Sequence, residues 1–574
     1  MPVVNAEIAS QLDQVADLLD IEGANPFRVR AYRKAARLIG DLSRNVTDML
    51  AAGEKLEELP GIGKDLAEKI AVIAHGEHLP MLDELTHELP AGLTAMLALP
   101  GLGPKRVHLL HEKLGIATIE QLAAAAKAGK LHDVAGIGPG IEAKVLQAIA
   151  AGAGQAPRTK VATAEQFVLP LLQHLRQAPG LRQIEVAGSY RRRRETVGDI
   201  DIVAAAEPGA LVMHHFTGYP DVAEVAAQGP TQGTVRLRNG LQVDLRVVPE
   251  ASFGAALCYF TGSKAHNIAL RHIAVDHGWK LNEYGLFKGT RRLASRSEAE
   301  VYQHLGLPLI PPELREDQGE IDAARTGTLP HLVALSEIRG DLHAHTNATD
   351  GRASLTEMAQ AAQAKGYGYL AITDHSRRVT MAHGLDPTRL SRQIDTIDRL
   401  NETLTGFVVL KSSEVDILDD GSLDLPDSIL RRLDLVVAAI HSHFDLSSEK
   451  QTERLLRAMD NRYVTILAHP TGRLINGRAG YAMDMERVMR GAVERGCFIE
   501  LNAQPDRLDI NDASCRLAKQ LGLKVAISTD AHATVELDFM RFGIDQARRG
   551  WLEPDDVLNT RPLAKLRPML QRRR

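Results

Sequence analysis

Residues 338–574 alternate apolar, strand-like runs with amphipathic helical stretches, and no other feature limits the fold of this 574-residue chain so strongly. The runs end in DLHAHT, AITDHS, LKSSEV, AAIHSH, ILAHPT, IELNAQ and AISTDAH. Seven such strands with intervening helices imply a βα barrel or a similar α/β fold. In barrels of this kind the chemistry gathers at the C-terminal strand ends. There lie His343 and His345, Asp350, His375, Glu414, His441, His469, and Asp530 with His532. The H-x-H and D-x-H spacings put both side chains of each pair on the barrel mouth. Core packing accounts for any one of these histidines but not for the set. Imidazole and carboxylate without thiolate suit Mn²⁺, Zn²⁺ or Fe²⁺, and nine ligands can serve up to three ions. Cys258, Cys497 and Cys515 are too few and too scattered for a disulfide framework or a thiolate site.

Residues 1–150 have a different texture: Ala, Leu, Glu and Lys dominate, β-branched runs are missing, and short helices with Gly-Pro punctuation are expected. One frame recurs in LPGIGKDLAEKI (59–70), LPGLGPKRVHLL (99–110) and VAGIGPGIEAKV (134–145). Gly61 and Gly63, Gly101 and Gly103, and Gly136 and Gly138 each flank an apolar residue ahead of a helix start. Such a turn exposes backbone N–H groups at a helix N-terminus, which is a phosphate cradle indifferent to base sequence. Three copies predict helix-hairpin-helix binding to DNA.

Between these blocks, IEVAGSY, GDIDIVAAA, GTVRLRNG and LQVDLRVVP read as strands after one helix, an α+β pattern. Asp199 and Asp201 sit two apart on a strand and so share a face. Asp244 lies on a strand that can pair beside it. Three carboxylates converging on a rigid sheet suit a pair of hard cations, Mg²⁺ or Mn²⁺, engaged in phosphoryl displacement. Upstream, Gly188 and Ser189 form a turn that feeds Arg191 to Arg194. Backbone N–H groups, a hydroxyl and an arginine fork make a triphosphate holder.

The spacing G-S-x(9)-D-x-D, the distal Asp and YFTGSKAHN (259–267) together resemble the family X DNA polymerases, the DNA polymerase beta-like nucleotidyltransferases, over most of residues 1–315. The resemblance implies that Asp199 and Asp201 bind both catalytic metals and that Asp244 binds one and takes or orients the primer 3′-hydroxyl proton. It further implies that Gly188, Ser189 and Arg192 hold the triphosphate. The Tyr259–Phe260–Gly262 backbone would exclude a 2′-hydroxyl, Asn267 would contact the nucleotide and Arg271 the template. Lys264 stands where several family members carry an acid, and a cation there would bind the incoming nucleotide without template help. Aligned on its glycines, GIGKDLAEKI puts the family's Schiff-base lyase lysine at Lys69, although Asp65 and Glu68 oppose the lowered pKa such a nucleophile needs.

Residues 338–574 resemble the PHP (polymerase and histidinol phosphatase) domain, with all nine positions of its ligand pattern filled. That implies a trinuclear cluster on a distorted (β/α)7 barrel, Glu414 bridging, with His383, His443 and Arg473 as candidate phosphate contacts. The whole order resembles bacterial and archaeal family X polymerases. The expected domains are 1–85 (lyase-like, helix-hairpin-helix), 86–155 (fingers-like helix-hairpin-helix), 156–250 (nucleotidyltransferase palm), 251–315 (thumb-like), 316–337 (linker) and 338–574 (PHP). The expected function is gap-filling DNA repair synthesis from dNTPs on gapped or primer-template DNA. A 3′–5′ exonuclease that also processes 3′ ends or cuts abasic sites would accompany it. The rivals are a small-molecule phosphatase tethered to a DNA-binding arm and a non-catalytic DNA end-binding scaffold.

No apolar run approaches the ~18–20 residues of a bilayer span, and no secretory signal is visible, so a cytoplasmic monomer without membrane contact is expected. The net charge of −5 hides a division. Residues 101–300 carry +6, whereas residues 1–100 carry −7 and residues 301–574 carry −4. An acidic first hundred residues fits poorly with tight DNA binding by a lyase-like domain.

Overall fold

A computed structural model describes residues 5–40, 46–59, 61–75, 79–89, 91–97, 99, 101–134, 136–150 and 158–571. The first position of each glycine repeat (60, 100, 135) and the expected boundary at 155/156 lie outside them. The described part of residues 5–150 is helical, in two cores. One gathers residues from Ile8 to Leu85, and the other joins Ile21 to residues from Leu93 to Val145. The three repeats fold alike. Gly61, Gly101 and Gly136 take φ of 85°, 87° and 86°, a left-handed turn that favours glycine. The next residue, Ile62, Leu102 or Ile137, is buried, and a helix follows.

The middle block is a five-stranded sheet. Leu181–Val186 runs antiparallel to Asp199–Ala206, which runs parallel to Gln242–Val248; Gln232–Leu237 and Val222–Gln228 complete the sheet. Val222–Gln228 is a strand that the sequence reading leaves out. It is an exposed edge, VAEVAAQ, with no burial alternation to reveal it. Beyond lie the helices Phe253–Thr261 and Lys264–Asp276 and a three-stranded antiparallel sheet over Lys280–Ala294.

The C-terminal block is the expected barrel of short parallel strands, with one strand position broken in two. Val408–Lys411 closes a sheet with Gly340–Ala344 and Tyr369–Ile372. After Ser412 and Ser413, Glu414–Asp416 opens a second sheet that continues through Val436–Ala439, Val464–Leu467, Phe498–Asn502 and Val525–Ser528. The bridges His375–Glu414 and Ala344–Ala531 join the two sheets into a ring. Those bridges fall on or beside the predicted ligands, so ring closure itself draws the ligands together.

Residues 316–337 are not a linker. Arg315 just before them is fully buried and ion-paired to Glu298 at 2.6 Å. Glu320 is buried against His266 at 2.6 Å, and Val333 N donates to Leu552 O at 3.0 Å. Two of its polar residues, Glu316 and Glu320, serve ion pairs with the middle block, while most of the others face solvent. Ile475, Leu508 and Phe542 of the barrel sit inside the core cluster of the middle block. At about 1.5–3 kcal/mol per fully buried large apolar side chain, these three contribute several kcal/mol to the joint between the blocks.

Candidate functional site

The central strands bring the three aspartates together. Asp201 and Asp244 are register partners on adjacent parallel strands, and Asp199 shares their face. Thr234 Oγ1 and Gln242 Nε2 donate to the two oxygens of Asp244, which fixes its plane. Burial, with Asp199 and Asp244 beside it, pushes the Asp201 carboxyl up to about 7. The donor set therefore suits a hard divalent cation, whose charge would offset that crowding. A Cβ at Gly188, where φ is +60°, would stand 2.3 Å from Asp201 Oδ2. Only glycine lets the turn approach the carboxylates so closely.

One cleft of about 870 Å³ is lined by Gly188, Ser189, Arg192, Asp199, Asp201, Tyr259, Phe260, Gly262, Lys264, Asn267 and Arg271. The structure thus gathers all nine nucleotide-contact candidates around two of the three aspartates. Asn267 Nδ2 donates to Tyr259 O at 2.6 Å, and the Arg271 guanidinium lies 5.3 Å over the Tyr259 ring. These contacts brace the wall that Gly262 turns. Arg158 and Arg194 also line the cleft; no motif marks Arg158. The arginine run divides. Arg191 is not a phosphate contact, because Glu298 at 2.6 Å and Thr261 at 2.7 Å occupy it. Arg193 turns to Asp545 of the barrel at 3.8 Å.

At the barrel mouth eight of the nine predicted ligands converge into three overlapping groups: His345, Asp350, His375 and His532; His343, His345 and Asp530; and His375, Glu414 and His441. His469 joins through Glu414, 2.8 Å from its Nε2. Glu414 is the hub, with His375 Nδ1 at 2.8 Å and His441 Nε2 at 3.3 Å. His343 Nε2 and His345 Nε2 lie 3.1 Å apart, both toward Asp530. Burial disfavours charged imidazole, but Glu414 beside His375 and His441, and Asp350 beside His532, outweigh it. Their pKa values rise to about 10, 9 and 9. His345, buried among histidines, falls to about 4. The raised imidazole values mark a site that favours positive charge, and the buried Nδ1 atoms of His345 and His469 lack hydrogen-bond partners. The donors suit divalent metals.

Several participants escape the sequence reading. Glu500 holds His343 Nδ1 at 2.7 Å and accepts from His469 N; Asp416 holds His441 Nδ1 at 3.0 Å. Such carboxylates fix imidazole tautomers. The period-two rule could have found Asp416, two residues from Glu414. Arg507 lies 3.8 Å from Asp530. Arg473, by contrast, does not face the cluster: it pairs with Glu195 of the middle block at 2.6 Å and with the carbonyls of Arg507 and Leu508. His383 and His443 are exposed and outside the ligand groups.

In the helical block, peptides at Gly61, Gly63, Gly103, Gly136 and Gly138 have open space where a Cβ would stand, while Gly101 faces Ile141. Arg106 donates to the carbonyls of both Gly101 and Gly136, clasping two hairpins together. Lys69 does not fit a free amine. Burial pulls its pKa down, but hydrogen bonds to Asp65 and Tyr32 outweigh this and leave it above the ordinary value. The acidic balance of this block also conceals a basic element. Helix Pro26–Gly40, PFRVRAYRKAARLIG, carries five basic residues and no acid.

Family models agree with this layout. Helix-hairpin-helix models match residues 3–79 and, as a SAM-like tandem, 93–151. DNA polymerase beta palm and thumb models match 155–220 and 256–316. A probable phosphatase of Thermoanaerobacter sp. (strain X514) is 32% identical over 231 residues, 38% of this chain and 89% of that protein. DNA polymerase lambda of Rattus norvegicus is 27% identical over 342 residues, 54% of this chain and 56% of that one. The DNA polymerase/3′–5′ exonuclease PolX of Bacillus subtilis (strain 168) is 39% identical over 570 residues, 99% of each chain. With likeness at that level over 99% of each chain, the chain belongs to the PolX family of DNA polymerase/3′–5′ exonucleases.

Proposed function

We propose that the chain fills gaps during DNA repair, adding dNMP from dNTPs to a primer 3′ end at the aspartate cleft and trimming 3′ ends at the barrel. The observation that carries this reading is the single cleft in which every nucleotide-contact candidate surrounds Asp199 and Asp201. These two and Asp244 would hold Mg²⁺ or Mn²⁺, which would offset charge on the attacking and leaving oxygens. Ser189, the Gly188 turn and Arg192 bind the triphosphate. Asp244, its plane fixed by Thr234 and Gln242, accepts the 3′-hydroxyl proton. The Tyr259–Phe260–Gly262 wall excludes a 2′-hydroxyl by sterics rather than by reading the base. Lys264 holds the nucleotide before template arrives.

At the barrel, His343, His345, Asp350, His375, Glu414, His441, His469, Asp530 and His532 would hold up to three ions of Mn²⁺, Zn²⁺ or Fe²⁺, which would supply hydroxide at neutral pH. Arg507 faces the phosphate in place of Arg473. The same site would also process blocked 3′ ends or cut at abasic sites. The glycine hairpins hold duplex DNA through its backbone, and both sites are complete in one copy, which supports a monomer.

The test is primer extension and 3′ degradation on gapped DNA with Asp201→Ala and His343→Ala. Each variant loses one activity and keeps the other; joint loss or no loss would break the two-site assignment.

A further inference from the structure

Helix Met540–Arg549 belongs to the barrel, yet its last residue contacts Arg192, which lines the nucleotide cleft. The Arg549 side chain is 3% exposed. Its Nη1 donates to the Arg192 carbonyl at 2.8 Å and to Glu316 Oε1 at 3.0 Å, and its Nη2 donates to Asp512 at 2.5 Å. The same Glu316 oxygen accepts from Arg192 Nε at 3.1 Å, while Arg192 Nη1 donates to Thr261 O at 2.6 Å. Arg192 therefore has two of its donor atoms and its backbone carbonyl engaged, and both N–H groups of Nη2 with the second of Nη1 remain for a ligand in the cleft. Along the same helix Asp545 faces Arg193, and Phe542 enters the core of the middle block.

From this chain of contacts we infer that Arg549, a residue of the phosphoesterase barrel, is a positioning residue for the polymerase reaction: through Glu316 it aims Arg192 at the triphosphate of the incoming nucleotide. This rests on the reading of Arg192 as a triphosphate contact. A charged, buried guanidinium with three fixed acceptors is stiff, and stiffness here passes to Arg192 by way of one shared carboxylate. The barrel thus contributes to nucleotide binding without touching the nucleotide.

The test uses the full-length chain with Arg549→Met, Arg549→Lys, Glu316→Gln and Arg192→Gln, assayed for dNTP KM, kcat and 3′–5′ exonuclease rate. Arg549→Met raises KM about tenfold with kcat within about threefold, since the chemical groups are intact and only orientation is lost. Exonuclease activity stays within about twofold, because Arg549 is outside the histidine cluster. Glu316→Gln raises KM to the same extent, the Arg549→Met/Glu316→Gln pair is no worse than either alone, and Arg549→Lys recovers part of the loss. Should Arg549→Met fail to fold, Glu316→Gln and Arg549→Lys decide the matter on the same KM. Unchanged KM, effects that multiply in the double variant, or equal loss of both activities would overturn the inference. If Arg192→Gln itself leaves KM unchanged, the cleft reading fails; if it raises KM while Arg549→Met and Glu316→Gln do not, only the role of Arg549 fails.

Discussion

At the residue scale, substitution at Gly188 is the sharpest probe of the aspartate cleft. An alanine methyl would occupy the space of Asp201 Oδ2 in a backbone conformation that disfavours side chains. Gly188→Ala should cut primer extension by about a hundredfold, as a displaced reacting group does, and leave 3′ degradation unchanged; gapped-DNA assays read both. Lys264 lines the same cleft. Lys264→Ala should weaken template-free dNTP binding about tenfold, about 1.4 kcal/mol, in a direct titration; unchanged affinity would remove its role. Protonation at the barrel has a definite sign. His375, His441 and His532 have pKa values raised to about 10, 9 and 9, against about 6.5 unfolded. Their contribution to the metal-free fold is complete below about pH 6.5 and disappears as pH rises through 9 to 10. Metal-free protein should therefore lose thermal stability between pH 7 and 10, while added Mn²⁺ should bind more tightly over that range and release protons. Melting curves and calorimetry in buffers of different ionisation enthalpy measure the two effects.

At the element scale, the strand ends and hairpins were legible because their chemistry and their conformation coincide in sequence. H-x-H and D-x-H lie where period-two geometry aims them, and each glycine frame encodes its own turn. Arg473 and Arg191 were misleading because a motif neighbour says nothing about a partner far along the chain: Glu195 and Glu298 claim them. Glu500 and Arg507 were invisible for the same reason. Helix Pro26–Gly40 could be read only once its charge was separated from its acidic surroundings. Arg28, Arg30 and Lys34 on it are exposed, whereas Arg33 is paired with Asp17. Changing the three exposed residues to glutamine should weaken gapped-DNA binding and flatten the log–log salt slope by about two to three, measured by fluorescence anisotropy.

At the scale of the whole molecule, the kinds of fold were legible in sequence, but residues 316–337 read as a spacer, since polar residues with proline look alike whether they face water or buried partners. In the fold they carry Glu316 and Glu320 into ion pairs and follow a buried Arg315. Ile475, Leu508 and Phe542 complete the joint. Phe542→Ala should cost about 3–5 kcal/mol and lower the inactivation temperature of extension and of 3′ trimming together; separate inactivation would mean that the blocks unfold independently. A joint of this kind ties the two reaction centres to one shared core. A primer terminus should then change centres by sliding or by dissociation and return of the DNA rather than by a swinging arm. With the duplex held by the hairpins as proposed, the balance between lengthening and shortening a strand should follow how long they retain it, and rising ionic strength, which shortens that residence, should shift it without altering either centre.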